Sequence, residues 1–139
     1  MTTDQRAYNQ QMIDDFRAAR DTPDGPFPGR ALTLLTTTGA KSGLKRTTPL
    51  MYATIDDTMV LIGSNMGAPT TPDWCRNMLA HPQVGIEVGK ERYEATATLA
   101  GPADRGRLWA ALLEQSPFFA DHQAKTEREI PLFTIERRV

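Results

Sequence analysis

The stretch Leu34–Tyr52, with the sequence LLTTTGAKSGLKRTTPLMY, decides the fold. Its apolar and β-branched beginning predicts a strand over residues 31–38, and the glycines that follow predict a turn over residues 39–43. Residues 46–55 then alternate between two faces, which predicts a returning strand. Because proline cannot donate a backbone hydrogen bond, Pro49 indicates a free edge or a bulge in that strand.

The rest of the chain continues as short strands joined by turns, with helices between them. The predicted strands cover residues 59–64, 83–88, 92–100 and 131–137. The predicted helices cover residues 4–20, 71–80 and 101–115, with a short fourth helix around residues 118–122. Two clusters of hairpin-linked strands favour one mostly antiparallel barrel with helices packed outside, and the missing strand–helix repeat argues against a Rossmann sheet. We assign residues 1–139 to a single domain, with an N-terminal helix and linker over residues 1–29 and the barrel over residues 30–139.

The N-terminal helix carries Tyr8, Met12 and Phe16 at intervals of four residues, which predicts one apolar stripe. Acidic residues offset the arginines on its polar side. We therefore expect a lid packed on the core rather than a helix lying on a membrane surface. Residues 22–29 contain three prolines and two glycines and are interpreted as a linker.

Composition excludes several classes of protein. The formal net charge of −1 gives no general attraction to nucleic acid or membrane, and no apolar run reaches the roughly 20 residues of a membrane span. The single cysteine, Cys75, cannot form an intrachain disulfide and fits a reducing, cytoplasmic location. The two histidines, His81 and His122, have no metal-ligand spacing to it, so we expect no metal site.

Positive charge concentrates in one segment, since residues 25–55 contain no acidic residue. Two glycines allow a bend whose amides can point at one anion, and Arg46 can grip a phosphate with two donors. The candidate ligands of a phosphate at this turn are Lys41, Ser42, Gly43, Lys45 and Arg46. The order of a Walker loop is absent, and spacing alone leaves phosphate binding and an ordinary structural turn equally open.

Two further segments carry polar or aromatic groups. Ser64, Asn65 and the amides around Gly67 could bind a polar heterocycle, and glycine permits close approach. Trp74 and Asn77 are three residues apart on one helix and share a face that could wall a flat ligand. Taken alone, each segment is better explained by an ordinary connection or by core packing.

Taken together, three segments resemble the deazaflavin-dependent nitroreductase family in order and spacing. They are Leu34–Tyr52, the run SNMGAP over residues 64–69, and the run PDWCRN over residues 72–77 followed by His81 and Pro82. The resemblance is strong over about residues 30–100. It implies an α+β, mainly β, split β-barrel related to flavin-binding oxidases of pyridoxamine phosphate. It also implies the cofactor coenzyme F-420, a deazaflavin whose tail carries a phosphate and several glutamates.

The resemblance also implies roles for particular residues. The tail would be held by Lys41, Ser42, Gly43, Lys45 and Arg46. The ring would be lined by Thr48, Pro49, Leu50 and Met51, and the pocket completed by Ser64, Asn65, Met66, Gly67, Trp74 and Asn77. Met66 stands where the family commonly has glycine, while Cys75 and Arg76 replace an aromatic residue and a histidine, so substrate preference is left open.

The implied reaction is hydride transfer from reduced deazaflavin to an electron-poor acceptor: an activated alkene such as an enone or unsaturated lactone, a quinone, or a nitroaromatic. Tyr52 and Ser64 are the candidate donors to the charge that grows on the acceptor. Trp109, Phe118, Phe119 and His122 could wall the substrate side, with helix packing as the alternative.

The expected partners are a small-molecule acceptor and a separate F-420-reducing dehydrogenase that recycles the cofactor, without nucleic acid or stable membrane insertion. A homodimer is compatible with the resemblance. An FMN-binding, oxidase-like protein and a non-catalytic cofactor carrier are the alternative functions.

Overall fold

The computed structural model of the protein describes residues 3–18, 32–89 and 91–138, and the predicted linker over residues 22–29 lies outside them. The helices are α1 (Thr3–Ala18), α2 (Asp73–Ala80), α3 (Pro102–Gln115) and α4 (Phe119–Ala124). The strands are β1 (Leu32–Thr38), β2 (Lys45–Ile55), β3 (Thr58–Ile62), β4 (Gln83–Val88), β5 (Glu91–Leu99) and β6 (Leu132–Arg137). A short 3-10 turn, Asn65–Gly67, follows β3.

The six strands close into a barrel in the order β1-β2-β3-β6-β5-β4, with every neighbouring pair antiparallel. The predicted antiparallel barrel is therefore confirmed. Side chains alternate between two faces, as the pleat of a strand requires. The inner cluster consists of Leu35, Leu61, Trp74, Cys75, Met78, Val84, Ile86, Ala95, Ala97, Phe133 and Ile135. The outer cluster, where α3 and α4 pack on the barrel, consists of Ala53, Ile55, Val60, Ile62, Leu108, Leu112, Phe119, Ile130 and Leu132.

The β2 strand changes partner halfway along its length. Residues 45–51 pair with β1, whereas residues 52–55 pair with β3. The first half of β2 therefore has a free edge within the described part of the chain. Pro49 lies in this half, opposite Leu34 of β1, which confirms the edge that its missing N–H indicated.

Helix α1 packs on the outside of β1. Ile13 and Phe16 are buried against Leu34, and the guanidinium of Arg17 binds the carboxylate of Glu87 in β4 at 3.1 and 2.8 Å. The predicted packing of this helix on the core is confirmed, but the predicted stripe is wrong at one end. Tyr8 is 65% exposed, because the apolar patch that α1 covers is filled by the C-terminal half of the helix.

Candidate active site

The turn between β1 and β2 is built by its own backbone. Gly39 N donates to the carbonyl of Leu44 at 2.8 Å, and Gly43 N donates to the carbonyl of Gly39 at 2.9 Å. Gly43 has a φ of +71°, and a Cβ atom at Gly39 would lie 2.3 Å from Ser42 Oγ. Ser42 Oγ accepts from Leu44 N at 3.2 Å, so this oxygen serves the turn while its hydrogen remains available to donate.

Three exposed cations surround this turn. Lys45 Nζ donates to Thr38 Oγ1 at 3.0 Å. Lys41 and Arg46 form no ion pair with any carboxylate of the described residues. Arg46 stands opposite the buried Thr37, on the inward-facing side of β2 at the mouth of the barrel. Cations without protein partners suit an external anion.

Helix α2 holds the turn in place through Asn77. Its Oδ1 accepts from Ala40 N at 2.9 Å, and its Nδ2 donates to Thr37 Oγ1 at 3.1 Å. One turn earlier in the helix, Trp74 is 8% exposed and its ring lies 6.3 Å from that of Phe133, centroid to centroid. Trp74 and Asn77, which were predicted to share a helix face, therefore have separate roles. Asn77 holds the turn of residues 39–46, here called the cationic turn, and Trp74 packs in the inner cluster.

The ring-lining residues predicted on β2 face opposite ways. Leu50 belongs with the inner cluster, and Thr48 lies on the same face by alternation. Pro49 and Met51 lie on the outer face, where Met51 is 39% exposed. One flat ring can contact both sets only along the free edge of the strand.

The barrel wall splits where β2 and β3 part. The last β2–β3 pair is Tyr52 with Leu61. Beyond it β2 stays with β1, whereas the chain after β3 turns away, with Gly63 N donating to the carbonyl of Pro131 at 3.0 Å. The split therefore lies between the free edge of β2 and the segment Gly63–Ala68, here called the split loop.

Two glycines of the split loop are required by packing. A Cβ atom at Gly63 would lie 2.7 Å from Cys75 Sγ. Gly67 has a φ of +82°, and a Cβ atom there would lie 2.7 Å from the carbonyl oxygen of His122 in α4. The close approach that Gly67 permits is thus to a helix of the protein. Asn65 has a φ of +48°, a conformation that asparagine tolerates, and its Nδ2 donates to the carbonyl of Thr70 at 3.0 Å.

Arg128 holds the split loop by three hydrogen bonds, a role that the sequence did not reveal. Its guanidinium donates to the carbonyls of Gly63, Ser64 and Ala68 at 3.0, 2.8 and 3.0 Å. The partners are backbone oxygens, so no side-chain motif marks the contact in the sequence. The only available signal was an arginine placed just before the last strand.

Both candidate proton or hydrogen-bond donors have free hydroxyls. Ser64 is 7% exposed, and its hydroxyl has no hydrogen-bond partner within residues 3–18, 32–89 and 91–138. Tyr52 is half-buried among the residues that pack on the inner cluster, and its hydroxyl also lacks a partner in those ranges. The Ser64 oxygen is not among the fully buried polar atoms, so its hydroxyl is free to donate to a bound group. The side chain of Met66 lies outside the described residues.

The aromatic residues proposed for a substrate wall lie on α3 and α4. Phe119 is buried in the outer cluster, Trp109 packs against that cluster, and Phe118 is 42% exposed. His122 packs edge-on against Phe118 and Phe119, and its Nδ1 has no partner in the part of the chain that is described. Burial, followed by the charge of Lys125, lowers the pKa of His122. For Trp109 and Phe119 the helix-packing alternative is confirmed.

Cys75 is a packing residue, as its sequence context suggested. It is 1% exposed, and burial raises the pKa of its thiol to about 12 despite the opposing charges of Arg128 and Arg76. No group of three or more metal-ligating side chains occurs among the described residues. None of the helices in those ranges has the length and apolarity needed to cross a membrane.

The barrel closes through all six strands but opens between the first half of β2 and the split loop, beside the exposed cationic turn. This is a split β-barrel, the fold that the resemblance implied. Residues 10–137 match the model of the F420H(2)-dependent quinone reductase family, where F420H(2) denotes reduced coenzyme F-420. The chain belongs to this family. It is therefore an oxidoreductase that uses F-420.

Individual relatives agree with the family match. An F420H(2)-dependent quinone reductase of Mycobacterium tuberculosis is 39% identical over 108 residues, which cover 76% of this chain and 72% of the relative. The solved structure of an F420-H2 dependent reductase is 37% identical with a TM-score of 0.69, covering 77% of this chain and 95% of that one. Another solved structure, described as a domain-swapped dimer, is 33% identical with a TM-score of 0.71 and covers 91% of this chain and 96% of that one.

Proposed function

We propose that this reductase transfers a hydride from reduced F-420 to a quinone, which takes up one proton from solvent and leaves as the hydroquinone while the cofactor is left oxidised. Quinone reduction is the activity that the family description and the names of the relatives state. The observation in this chain that carries the proposal is the unpartnered hydroxyl of Ser64 beside the split, on a residue that is 7% exposed.

The cationic turn fits the anionic tail of the cofactor. Lys41 and Arg46 have no carboxylate partner in the described part of the chain, and Ser42 keeps a hydroxyl hydrogen to donate. We assign the tail to these three residues, with Lys45 adding charge and Gly43 providing the bend. Asn77 supports this group by fixing the turn.

The free edge of β2 and the split loop fit the flat ring between them. We assign Thr48 and Leu50 to the inward side of the ring site and Pro49 and Met51 to its outward side. Asn65, Met66 and Gly67 of the split loop are assigned to the opposite border, and Trp74 closes the inner end. Apolar walls of this kind exclude water from the reacting atoms.

When bound, reduced F-420 supplies the hydride. The protein's own contribution is to place the acceptor and to stabilise the negative charge that develops on its oxygen. We assign that stabilisation to the hydroxyls of Ser64 and Tyr52, which are free to donate. Loss of one such donor costs about 10²–10³ in kcat in well-studied enzymes, and an exposed or redundant donor costs less.

The test is turnover of an acceptor panel by the purified protein with reduced F-420. We expect menadione to be reduced with a kcat/KM at least tenfold above those of cyclohexenone and a nitroaromatic, and Ser64→Ala to lower kcat for menadione. A preference for the enone or nitroaromatic would contradict the quinone assignment. Binding of F-420 without turnover of any acceptor would favour the carrier alternative, and tighter binding of FMN would favour the oxidase-like one.

Two partners accompany this proposal. A separate dehydrogenase must reduce F-420 again, because each turnover oxidises it. A homodimer is proposed from the relative that is described as a domain-swapped dimer, and sedimentation of the purified protein tests it.

A further inference from the structure

We propose that Arg128 is a positioning residue of the reductase site, which acts on the acceptor through the Ser64 hydroxyl. This inference rests on the proposed function. A trans peptide group points its C=O and N–H in opposite directions. Because Arg128 binds the carbonyls of Gly63 and Ser64, the N–H groups of Ser64 and Asn65 point away from the guanidinium.

Three hydrogen-bond donors of the split loop have no acceptor in the described part of the chain. The N–H groups of Ser64 and Asn65 and the Ser64 hydroxyl have no partner within the described residues. Ser64 is 7% exposed as a residue, but its hydroxyl oxygen is not among the fully buried polar atoms and can reach a bound group. By binding the carbonyls of Gly63 and Ser64, Arg128 turns the N–H groups of Ser64 and Asn65 away from itself and fixes the backbone that carries the Ser64 hydroxyl.

The shape of the guanidinium suits this task. Its planar fork reaches three carbonyl oxygens that lie up to five residues apart, between Gly63 and Ala68. A lysine ammonium carries charge but cannot hold three such oxygens in one plane. The split loop also has bonds of its own, with Gly67 N donating to the carbonyl of Ser64 at 2.9 Å and Gly63 N to that of Pro131. Without Arg128 the loop keeps these bonds and loses the orientation of its peptide groups.

Arg128 is itself fixed from α4. Its carbonyl accepts from Gln123 Nε2 at 2.8 Å, and Gln123 Oε1 accepts from Ile130 N at 3.0 Å. A chain of contacts therefore runs from α4 through Gln123 and Arg128 to Ser64. A substitution at Gln123 should therefore disturb the position of Ser64 in the same way as a substitution at Arg128, but less strongly.

The test is a double-mutant cycle of Arg128→Lys and Ser64→Ala in the full-length protein with reduced F-420 and menadione. We expect Arg128→Lys alone to lower kcat at least tenfold, and less than twofold when Ser64→Ala is already present, because it acts through that hydroxyl. The Kd of oxidised F-420, measured by its fluorescence, should change by a smaller factor than kcat, because the turn assigned to the cofactor's tail is not altered. Amide hydrogens of residues 63–68 should exchange faster in the cofactor-free variant.

The control is Leu108→Ala, which empties part of the outer cluster. It should lower the melting temperature at least as much as Arg128→Lys while leaving kcat within twofold. If Arg128→Lys fails to fold, Gln123→Glu replaces it, since it keeps the acceptor for Ile130 N and loses the donor to Arg128. Multiplicative effects in the cycle, or an equal kcat loss in Leu108→Ala, would overturn the positioning role alone. A wild-type protein that binds F-420 without reducing menadione would overturn the proposed function and this role with it.

Discussion

Two parts of the candidate site, the cationic turn and the split loop, are built in opposite ways. The cationic turn, residues 39–46, is exposed from residue 40 onward and is held to α2 by the side chain of Asn77. The split loop is largely buried and is held by three bonds from Arg128 and by Gly67 against α4. Charge attraction to a tail tolerates some movement, whereas hydride transfer requires atoms fixed to within a fraction of an ångström. The proposed placement, with the tail on the turn and the reacting ring beside the split loop, accounts for this difference.

The largest expected effect comes from Gly67→Ala in the split loop. Its φ of +82° strains any other residue, and the new Cβ would meet the carbonyl oxygen of His122. We expect the free energy of unfolding to fall by about 2–4 kcal/mol, measured in urea. Gly43→Ala in the turn is the control, because it has a φ of +71° with no atom within 4 Å and should cost only about 1 kcal/mol. Equal losses of stability would show that the turn and the split loop tolerate a Cβ atom equally well.

The next effect concerns the charges of the turn. Replacing Lys41 and Arg46 by alanine should weaken F-420 binding about tenfold or more and flatten its dependence on salt, because exposed charge contacts are screened. The matched control removes Arg107 and Arg138, which pair with Asp56 and Glu94. Fluorescence titrations at two salt concentrations separate the cases. A double variant at Lys41 and Arg46 with unchanged affinity would remove the tail from this turn.

A smaller effect is expected at Asn77. Asn77→Ala removes both bonds that hold the turn to α2, which should cost about 1–2 kcal/mol of stability and weaken F-420 binding several-fold. Asn77→Asp keeps the acceptor for Ala40 N and should lie between. Gln115→Ala, which removes a bond to the carbonyl of Thr54 near the other end of β2, is the control and should leave the affinity unchanged. An unchanged affinity in Asn77→Ala would mean that the turn needs no support.

The smallest effect is a pH dependence of the free energy of unfolding that arises from His122. Burial and Lys125 lower the pKa of His122, while Asp121 opposes them, so the unfolded chain binds a proton more readily than the folded one. Stability from this residue is therefore fully present above the unfolded pKa of about 6.5 and declines as the pH falls below it. His122→Phe should remove that component of the decline in urea titrations at pH 7.5 and 5.5. His81→Gln, at an exposed position, should retain it.

Most of the fold could be predicted from local patterns. The alternation in residues 46–55 and the proline at position 49 indicated both the strand and its free edge, because pleating and the missing N–H are local properties. The exposure of Tyr8 could not be predicted in this way. The extent of the patch that α1 covers depends on how β1 and β4 pack beneath it.

The site was predictable where side chains carry the signal. The cations at 41, 45 and 46 stood out in an acid-free segment, and the structure leaves two of them without a carboxylate partner in its described part. Arg128 and the packing role of Gly67 could not be found, since both act on backbone oxygens of distant segments. The alternation predicted for residues 46–55 already separates Leu50 from Pro49 and Met51, and the structure confirms that these residues face opposite ways.

The environment of Cys75 determines whether its thiol can be alkylated by an electrophilic substrate. Quinones are electrophiles that alkylate thiolates, and the thiolate is the reactive form of cysteine. This thiol is 1% exposed and, with a pKa of about 12, is almost wholly protonated at neutral pH. Because Cys75 is the chain's single cysteine, the proposed quinone acceptors would meet no reactive sulfur nucleophile on this chain.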